Sequence, residues 1–441
     1  MIDRYTKKQM AELFAELRKK QGWHAVETAV LAARQRLAQI PPGVCDKVAA
    51  LIVTPEILAR ADEIEETTDH DLLAFVLAVS EQLATEAQPY YHDGLTSFDD
   101  EDTALAIIMG EALDAIQVSL ERFADILRRR AQEHRQTVMV ARTHNIHAKP
   151  YVFGLKLLNW LAVVEFHLAQ VRAAKGVVKQ GKLSGAVGTY TLDPQIEEMA
   201  CEELGLDASI ISTQVISRHV HVYYAMTLAA IANSLDKMAI DIRLLAGTDV
   251  GEVAEFKRPG AKGSSAMPGK SFLRNPIKSE NVCSLAKLAR GYVIPAMECE
   301  PLWHERTLDN SAAERVWLPD LTIVTHFMLE RFAEVIDKLE VYPRVMMANL
   351  WKTGGIIFAE NVMMVLTSKG MPRPQAYELC ESLCLRLKRE TFKTPEGETF
   401  RDLAIACEEI RAVVGLEELD QCFRVEYGLR HIDAIYARFG L

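Results

Sequence analysis

The chain is poor in the features that mark several large protein classes. Its eight cysteines among 441 residues (Cys45, Cys201, Cys283, Cys299, Cys380, Cys384, Cys407, Cys422) are scattered, with no CxxC pair. That spacing suggests neither a zinc cluster nor a disulfide framework, and it fits a reduced compartment. No uninterrupted apolar run is long enough to span a membrane, and the polar start Met1-Ile2-Asp3-Arg4-Tyr5 lacks the apolar core of a signal peptide. Positive charge is also short: 50 Lys and Arg against 61 Asp and Glu leave a net charge of −11, which argues against a general nucleic-acid or anionic-membrane binder. Low-complexity segments and short-period repeats are absent, and few stretches alternate with the strand period. The expectation is a soluble, cytoplasmic protein that must gather cations locally for any anionic ligand.

What is present is an ordinary globular composition, 49% hydrophobic and 25% charged, arranged with helical spacing. Residues 7–88 read as several medium helices, with Leu72, Phe75, Val76, Val79 and Leu83 on one face. Within them Thr67-Thr68-Asp69-His70-Asp71 reads as a helix N-cap in which Thr and Asp oxygens take the first amides. Long helices are predicted over Asp102–His134, Val152–Lys179, Val215–Thr248, Ser279–Pro295 and Ser311–Leu339, too long for a small domain. Polar breaks separate them: Tyr90–Asp99, Arg142–Pro150, and Gly181–Tyr190, which reads as a flexible loop. After Tyr342-Pro343 the helices shorten (345–352, 355–368, 373–389, 398–410, 429–438). The fold class is all-α in three helical domains: an N-terminal domain at 1–98, a central long-helix bundle at 99–341 and a C-terminal domain at 342–441.

The stretch from Lys262 to Asn281 concentrates glycine, hydroxyls and cations. Gly269-Lys270-Ser271 is not a phosphate loop, because five residues separate Gly263 from Gly269 where that motif has four. The preceding segment 249–262 is polar and does not read as a buried strand. Asn275-Pro276 reads as a helix start whose free amides favour an anion. With Ser264, Ser265, Lys262 and Lys270 nearby, the stretch is equipped to hold a carboxylate; taken alone it is equally a solvated connector.

Gly263-Ser264-Ser265-Ala266-Met267-Pro268, Arg274-Asn275-Pro276-Ile277 and Ser279-Glu280-Asn281 resemble the signature loop of the fumarase/aspartase superfamily. Further matches are Arg4-Tyr5, Thr68-Asp69-His70-Asp71, Gly94-Leu95-Thr96-Ser97, Arg142-Thr143-His144, Ser184 through Tyr190, Ser212-Thr213-Gln214, Leu302 through Arg306 and Ser311 through Arg315. Together they resemble that superfamily's adenylosuccinate-cleaving branch over essentially the whole chain. The resemblance implies long central helices that associate into a homotetramer, with each active site assembled from three subunits. It implies elimination of fumarate from adenylosuccinate, and from the succinylated aminoimidazole carboxamide ribotide of purine biosynthesis. It implies a small-molecule nucleotide as ligand and no metal or organic cofactor.

By the same resemblance Ser264 is the general base and His144 the general acid, oriented by Glu280, while His70 assists the acid or contacts phosphate; His92 and His147 are weaker candidates. Proton removal beside a carboxylate builds a doubly charged aci-carboxylate, for which Lys270, Asn275, Thr96, Ser97 and Thr143 are available donors. Arg4, Tyr5, Arg306, Ser311 and Arg315 match positions that grip phosphate and ribose, and Gln214 one that contacts the succinyl or amide group. Asp71 and Ser265 complete the binding set. Gly269 stands where the family usually has an aromatic or imidazole residue, and Ser271-Phe272-Leu273 are extra, so Lys270 lies five residues before Asn275. Two alternatives remain: a superfamily lyase or cycloisomerase acting on another dicarboxylate, and a catalytically silent helical scaffold. The retained nucleotide-side residues argue against the first, and the Ser264, His144 and Glu280 set against the second.

Overall fold

The computed structural model describes residues 1–262, 264–387 and 397–441. Gly263 of the signature loop and the last two residues of the helix predicted over 373–389 lie outside them. The five long helices are present at Ser97–Glu133, Phe153–Val178, His219–Ala246, Ile277–Gly291 and Ser311–Asp337. The first begins five residues earlier than expected, the third begins four residues later, and the fourth ends four residues earlier, with a separate helix Val293–Glu298 after it. The start of Ser97–Glu133 is set by Asp99, whose carboxylate accepts the Thr96 backbone N–H at 2.8 Å while the Asp99 amide donates to Thr96 O, so the polar break continues directly into the first turn. Helix Ser97–Glu133 is apolar and long enough to cross a membrane by composition, but 67% of its most apolar window is buried within the fold.

Backbone contacts group the chain into two compact units. The first comprises residues 1–122, 165–237 and 281–332. Its N-terminal core forms where Trp23 of helix Glu16–Arg36 meets Phe75 of helix Asp71–Ser80 edge-on at 5.7 Å. The second comprises residues 123–164, 238–280 and 333–441. In it Phe358, Leu366, Leu403, Ile410 and Phe423 build a core among short helices. The segment predicted as one helix at 398–410 is two, Phe400–Ala406 and Glu408–Arg411, because Cys407 is extended between them. The helices Leu416–Cys422 and Val425–Leu429 were not anticipated.

The second unit also holds a β-hairpin where only a polar turn is predicted: Val138–Thr143 runs antiparallel to Ile146–Val152, with a bulge between Val140 and Arg142. His144 and Asn145 both have positive φ, 53° and 63°, the backbone of a tight two-residue hairpin turn. Segment 249–262 also departs from expectation. Glu252 through Glu255 are buried, and Val253–Ala254 pairs with Glu340–Val341. Close packing in this unit requires glycine at 154, where an added Cβ would lie 1.9 Å from the Tyr436 hydroxyl and 2.6 Å from Ala131 O.

Charge organises the first unit's interior. Asp99 and Lys182 pair at 2.6 Å with both side chains fully buried. Lys182 also donates to Gly185 O and Gln214 O at 3.1 and 2.9 Å, and Asp99 accepts the Gly185 amide at 3.2 Å. The base of the 181–190 loop is therefore pinned, not flexible as its composition suggests. Ser184 further bonds the Ser212 hydroxyl at 2.6 Å, and the Tyr190 hydroxyl donates to Glu197 at 2.8 Å. Replacing Asp99 by Asn would leave the Lys182 ammonium buried without its counter-charge, so a loss of about 3–5 kcal/mol in urea unfolding is expected. A loss below about 1 kcal/mol would show that the loops do not depend on the pair.

Candidate active site

In the first unit the sequence-derived residues stand on short segments at helix ends. Thr68 closes helix Pro55–Thr68, Asp69 takes a left-handed turn at φ 47°, and His70 is the N-cap of Asp71–Ser80. The cap differs from expectation: His70 Nδ1, not a Thr or Asp oxygen, accepts the Leu73 amide at 3.2 Å. An accepting Nδ1 leaves the proton on Nε2, which lies 3.4 Å from Ser97 Oγ. Two candidates, His70 and Ser97, thus meet with a defined tautomer. Thr96 is fixed through its amide on Asp99.

The arginines do not pair with their sequence neighbours. Arg315 Nη2 is 2.8 Å from Asp71 and 3.8 Å from Glu101. Glu314 instead takes the Arg218 guanidinium, which forks between Glu314 (2.9 and 3.1 Å) and Asp102 (2.7 and 3.0 Å) in a buried position. Burial opposes ionisation of Glu314, yet His221 and Arg218 hold its carboxyl at about 2. The Arg306 guanidinium lies over Phe98 at 3.4 Å from the ring centroid, with Nη1 buried and without a hydrogen-bond partner among the described residues. Arg4 is exposed in the turn Asp3–Tyr5, and Tyr5 packs edge-on against Phe327 at 5.5 Å. Gln214 donates to Ala186 O at 3.0 Å, and Ser311 opens helix Ser311–Asp337.

His92 is bound into the scaffold. Its Nδ1 lies 2.7 Å from Glu27 and 3.2 Å from Asp100, and its amide donates to Glu27 at 3.0 Å. Burial opposes the charge, but the carboxylates of Asp100 and Glu27 against Nδ1 push the imidazole up to about 10. Donor atoms of the three residues lie within 4.8 Å of one another, and a protonated His92 already neutralises part of their charge.

In the second unit Thr143 and His144 are exposed at the tip of the hairpin. Behind them Arg142 makes a two-pronged pair with the fully buried Glu252 at 2.6 and 3.1 Å, and Asn349 donates to the same carboxylate at 2.9 Å. A 730 Å3 cleft beside the hairpin is lined by Arg142, Asn145, Lys156, Asp241 and Thr248. Ser264 Oγ accepts the amides of Ala266 and Met267 at 3.2 and 3.1 Å. Ser265, Asn275 and Glu280 are exposed. The three extra residues form, with Lys270, a short helix Lys270–Leu273. Among the described residues no hydrogen bond or ion pair joins Glu280 to His144 within the chain.

The anion-binding helix start read from Asn275-Pro276 is already used. The amides of Lys278 and Ser279 and the Ser279 hydroxyl all donate to Glu255, at 3.0, 2.7 and 2.7 Å. The sequence reading missed Asp99, Lys182, Arg218, Glu252 and Glu255. The available signal was charge inside apolar surroundings: the run Asp99-Asp100-Glu101-Asp102 heading a helix, and Glu252 and Glu255 flanking Val253-Ala254.

Residues 6–291 match the family model described as lyase, which sets the class. Residues 355–439 match adenylosuccinate lyase C-terminus. The chain is 40% identical to adenylosuccinate lyase of Staphylococcus saprophyticus over 442 residues, covering 100% of both. Among solved structures it resembles a 3-carboxy-cis,cis-muconate lactonizing enzyme from Pseudomonas putida (TM-score 0.87, 28% identity, 98% of this chain and 96% of that one). A fumarate lyase from Mesorhizobium sp. BNC1 is similar at TM-score 0.86 and 26% identity, with 98% of each chain covered. The helical fold and these matches define a carbon–nitrogen lyase. The chain belongs to the adenylosuccinate lyase family.

The Arg218 network carries a pH signature. Because Glu314 is depressed from 4.5 to about 2 on folding, its stabilisation is complete above about pH 4.5 and is lost as pH falls towards about 2. Integrated over that window the loss is about 3 kcal/mol. Glu314→Gln should be less stable than wild type near neutrality and should lose this part of the acid dependence, read from urea midpoints at several pH values.

Proposed function

We propose that the chain eliminates fumarate from adenylosuccinate to give AMP, and from the succinylated aminoimidazole carboxamide ribotide, with Ser264 as base and His144 as acid. The observation that carries this reading is the pair of amides on Ser264 Oγ. Two N–H donors aimed at a hydroxyl oxygen stabilise it as an alkoxide, the form able to take a proton from carbon beside a carboxylate. The electrons of the broken C–H bond pass into that carboxylate, giving an aci-carboxylate with two negative charges. Lys270, with Asn275 and Thr143, would meet that charge. Collapse of this intermediate breaks the C–N bond, and His144 donates the proton that the leaving nitrogen needs.

On the nucleotide side Arg306, Arg315, Arg4, Tyr5 and Ser311 would hold phosphate and ribose, since a planar guanidinium suits phosphate oxygens. The Nε2–H tautomer of His70 supports a donor role towards substrate, with Ser97 and Asp71 beside it. Gln214 and Thr96 would contact the succinyl side. Glu280 would orient His144 across subunits, in keeping with the absence of a contact within one chain among the described residues.

The reading includes a cytoplasmic homotetramer with shared sites, built on a three-domain subunit. Self-association is supported by apolar side chains left exposed on the long helices: Phe166, Met226, Leu244 and Leu288 are 58, 49, 57 and 48% accessible.

Ser264→Ala and His144→Ala should each lower kcat by about 10²–10⁴-fold in the absorbance assay of adenylosuccinate cleavage. Turnover at the wild-type rate in both, or no turnover by wild type, would refute the assignment. Mixing the two inactive variants, with subunit exchange, should restore part of the activity. Its absence in mixed oligomers verified by mass would mean that both groups act from one chain.

A further inference from the structure

The phosphate-gripping role of Arg315 conflicts with its surroundings, because two carboxylates already contact its guanidinium. Asp71 Oδ2 lies 2.8 Å from Arg315 Nη2 and Glu101 Oε2 lies 3.8 Å from the same nitrogen. The arginine side chain is 52% exposed, whereas those of Asp71 and Glu101 are only 17% and 16% exposed. Glu101 and Arg315 both line a cavity of about 210 Å3 that also presents Ser311 and Lys19.

We propose that Glu101 is a specificity-determining residue for the nucleotide phosphate: phosphate engages Arg315 only as Glu101 takes up a proton, so that the site binds nucleoside monophosphates with net proton uptake. This rests on the reading that Arg315 grips the phosphate.

Asp71 and Glu101 meet Arg315 at 2.8 and 3.8 Å. One guanidinium serves two carboxylates, and a phosphate brought to its exposed face adds negative charge while drawing the guanidinium's hydrogen bonds away. The carboxylate with fewer other partners must then become neutral. Asp71 accepts the Leu72 amide at 2.8 Å in addition to Arg315. Burial works against its ionisation, but Arg315, Lys20 and Lys19 hold it below its ordinary value. Among the described residues Glu101 has no closer partner than the 3.8 Å contact. Its burial, then Asp71 and Asp102, push it up to about 7 against the pull of Arg315 and Lys19.

The charged groups around Glu101 come from every element packed there. They are Asp71 at its helix start, Arg315 and Glu314 on Ser311–Asp337, Glu16 and Lys19 on Glu16–Arg36, Asp102 on its own helix, Arg218, and Arg306 from the segment before Ser311. Asp102, Arg218 and Glu314 are committed to one another, which leaves Glu101 as the group free to change charge. Above about pH 7 the proton must be taken from solvent, so affinity falls by up to about tenfold per pH unit.

The test is calorimetric titration of the full-length protein with AMP at about pH 8, in two buffers of different ionisation enthalpy, where uptake approaching about one proton is expected. Glu101→Gln should abolish that uptake, and Glu101→Asp should retain it. The ratio of wild-type to Glu101→Gln dissociation constants should rise about tenfold between about pH 6 and about pH 8, and titration of the phosphate itself cancels in that ratio. Equal proton uptake in wild type and Glu101→Gln, or a pH-independent ratio, would overturn the inference. Failure of AMP to bind wild type, or binding unaffected by Arg315→Ala, would instead overturn the underlying phosphate assignment.

Discussion

The buried pair of Asp99 and Lys182 is the interaction on which the first unit's site geometry depends. Two charges taken out of water repay their desolvation only when geometry and remaining hydrogen bonds are complete, and here both conditions hold. Asp99 serves the Lys182 ammonium, the Thr96 amide and the Gly185 amide; Lys182 adds the carbonyls of Gly185 and Gln214. Three loops distant in sequence are thus referred to one point at the first turn of a long helix. Burial pushes the Asp99 carboxyl up, and Lys182 with the two amides draws it back. One turn further on, Asp102 repeats the device with Arg218, whose guanidinium in turn fixes Glu314 beside Arg315. Thr96, Gln214 and Arg315 are therefore positioned by residues that need never touch a ligand.

The second unit applies the same principle with glutamates. Glu252 is fully buried and satisfied by Arg142 and Asn349, which braces the hairpin that carries His144. Three residues later Glu255 closes the start of helix Ile277–Gly291. A carboxylate on free first-turn amides is favourable, and supplying it from the chain itself leaves the loop that carries Ser264 anchored at its far end. The first-turn donors of that helix are therefore already occupied, and an anion near the loop would meet the loop's side chains instead.

Much of the fold was legible because helical periodicity reports which face is buried. The long helices from Phe153, His219 and Ser311 follow their apolar stripes to within a few residues. The hairpin at 138–152 was not legible, since its strands are short, bulged and only partly buried, so no clean alternation appears. The buried charges were illegible for a different reason. Asp99 and Lys182 are separated by 83 positions and Arg142 and Glu252 by 110, and local patterning carries no information about such partners. His70 as a cap shows a third limit: composition identified a cap but not which atom would supply it. The candidate catalytic residues were readable only through family resemblance, because an exposed serine or histidine on a loop has no distinguishing periodicity.

The loop insertion is best understood through charge. Lys257, Arg258, Lys262, Lys270, Arg274 and Lys278 crowd one segment of an otherwise acidic chain. Lys257 donates to Ser271 O at 3.2 Å, Arg258 and Lys278 lie 3.7 and 3.5 Å from Glu334, and Arg274 pairs with Glu340. Among the described residues Lys262 and Lys270 alone of these six have no hydrogen-bond or ion-pair partner. Arg274 does not stand in for the displaced lysine, because it is held by Glu340 and Glu255 O. The residues Ser271-Phe272-Leu273 fold into a turn that starts at Lys270 and leaves Phe272 86% exposed. The insertion therefore lengthens the loop without tying its lysine down. That leaves Lys262 and Lys270 as the cations of this segment that are not already paired among the described residues, while their neighbours hold the loop's ends.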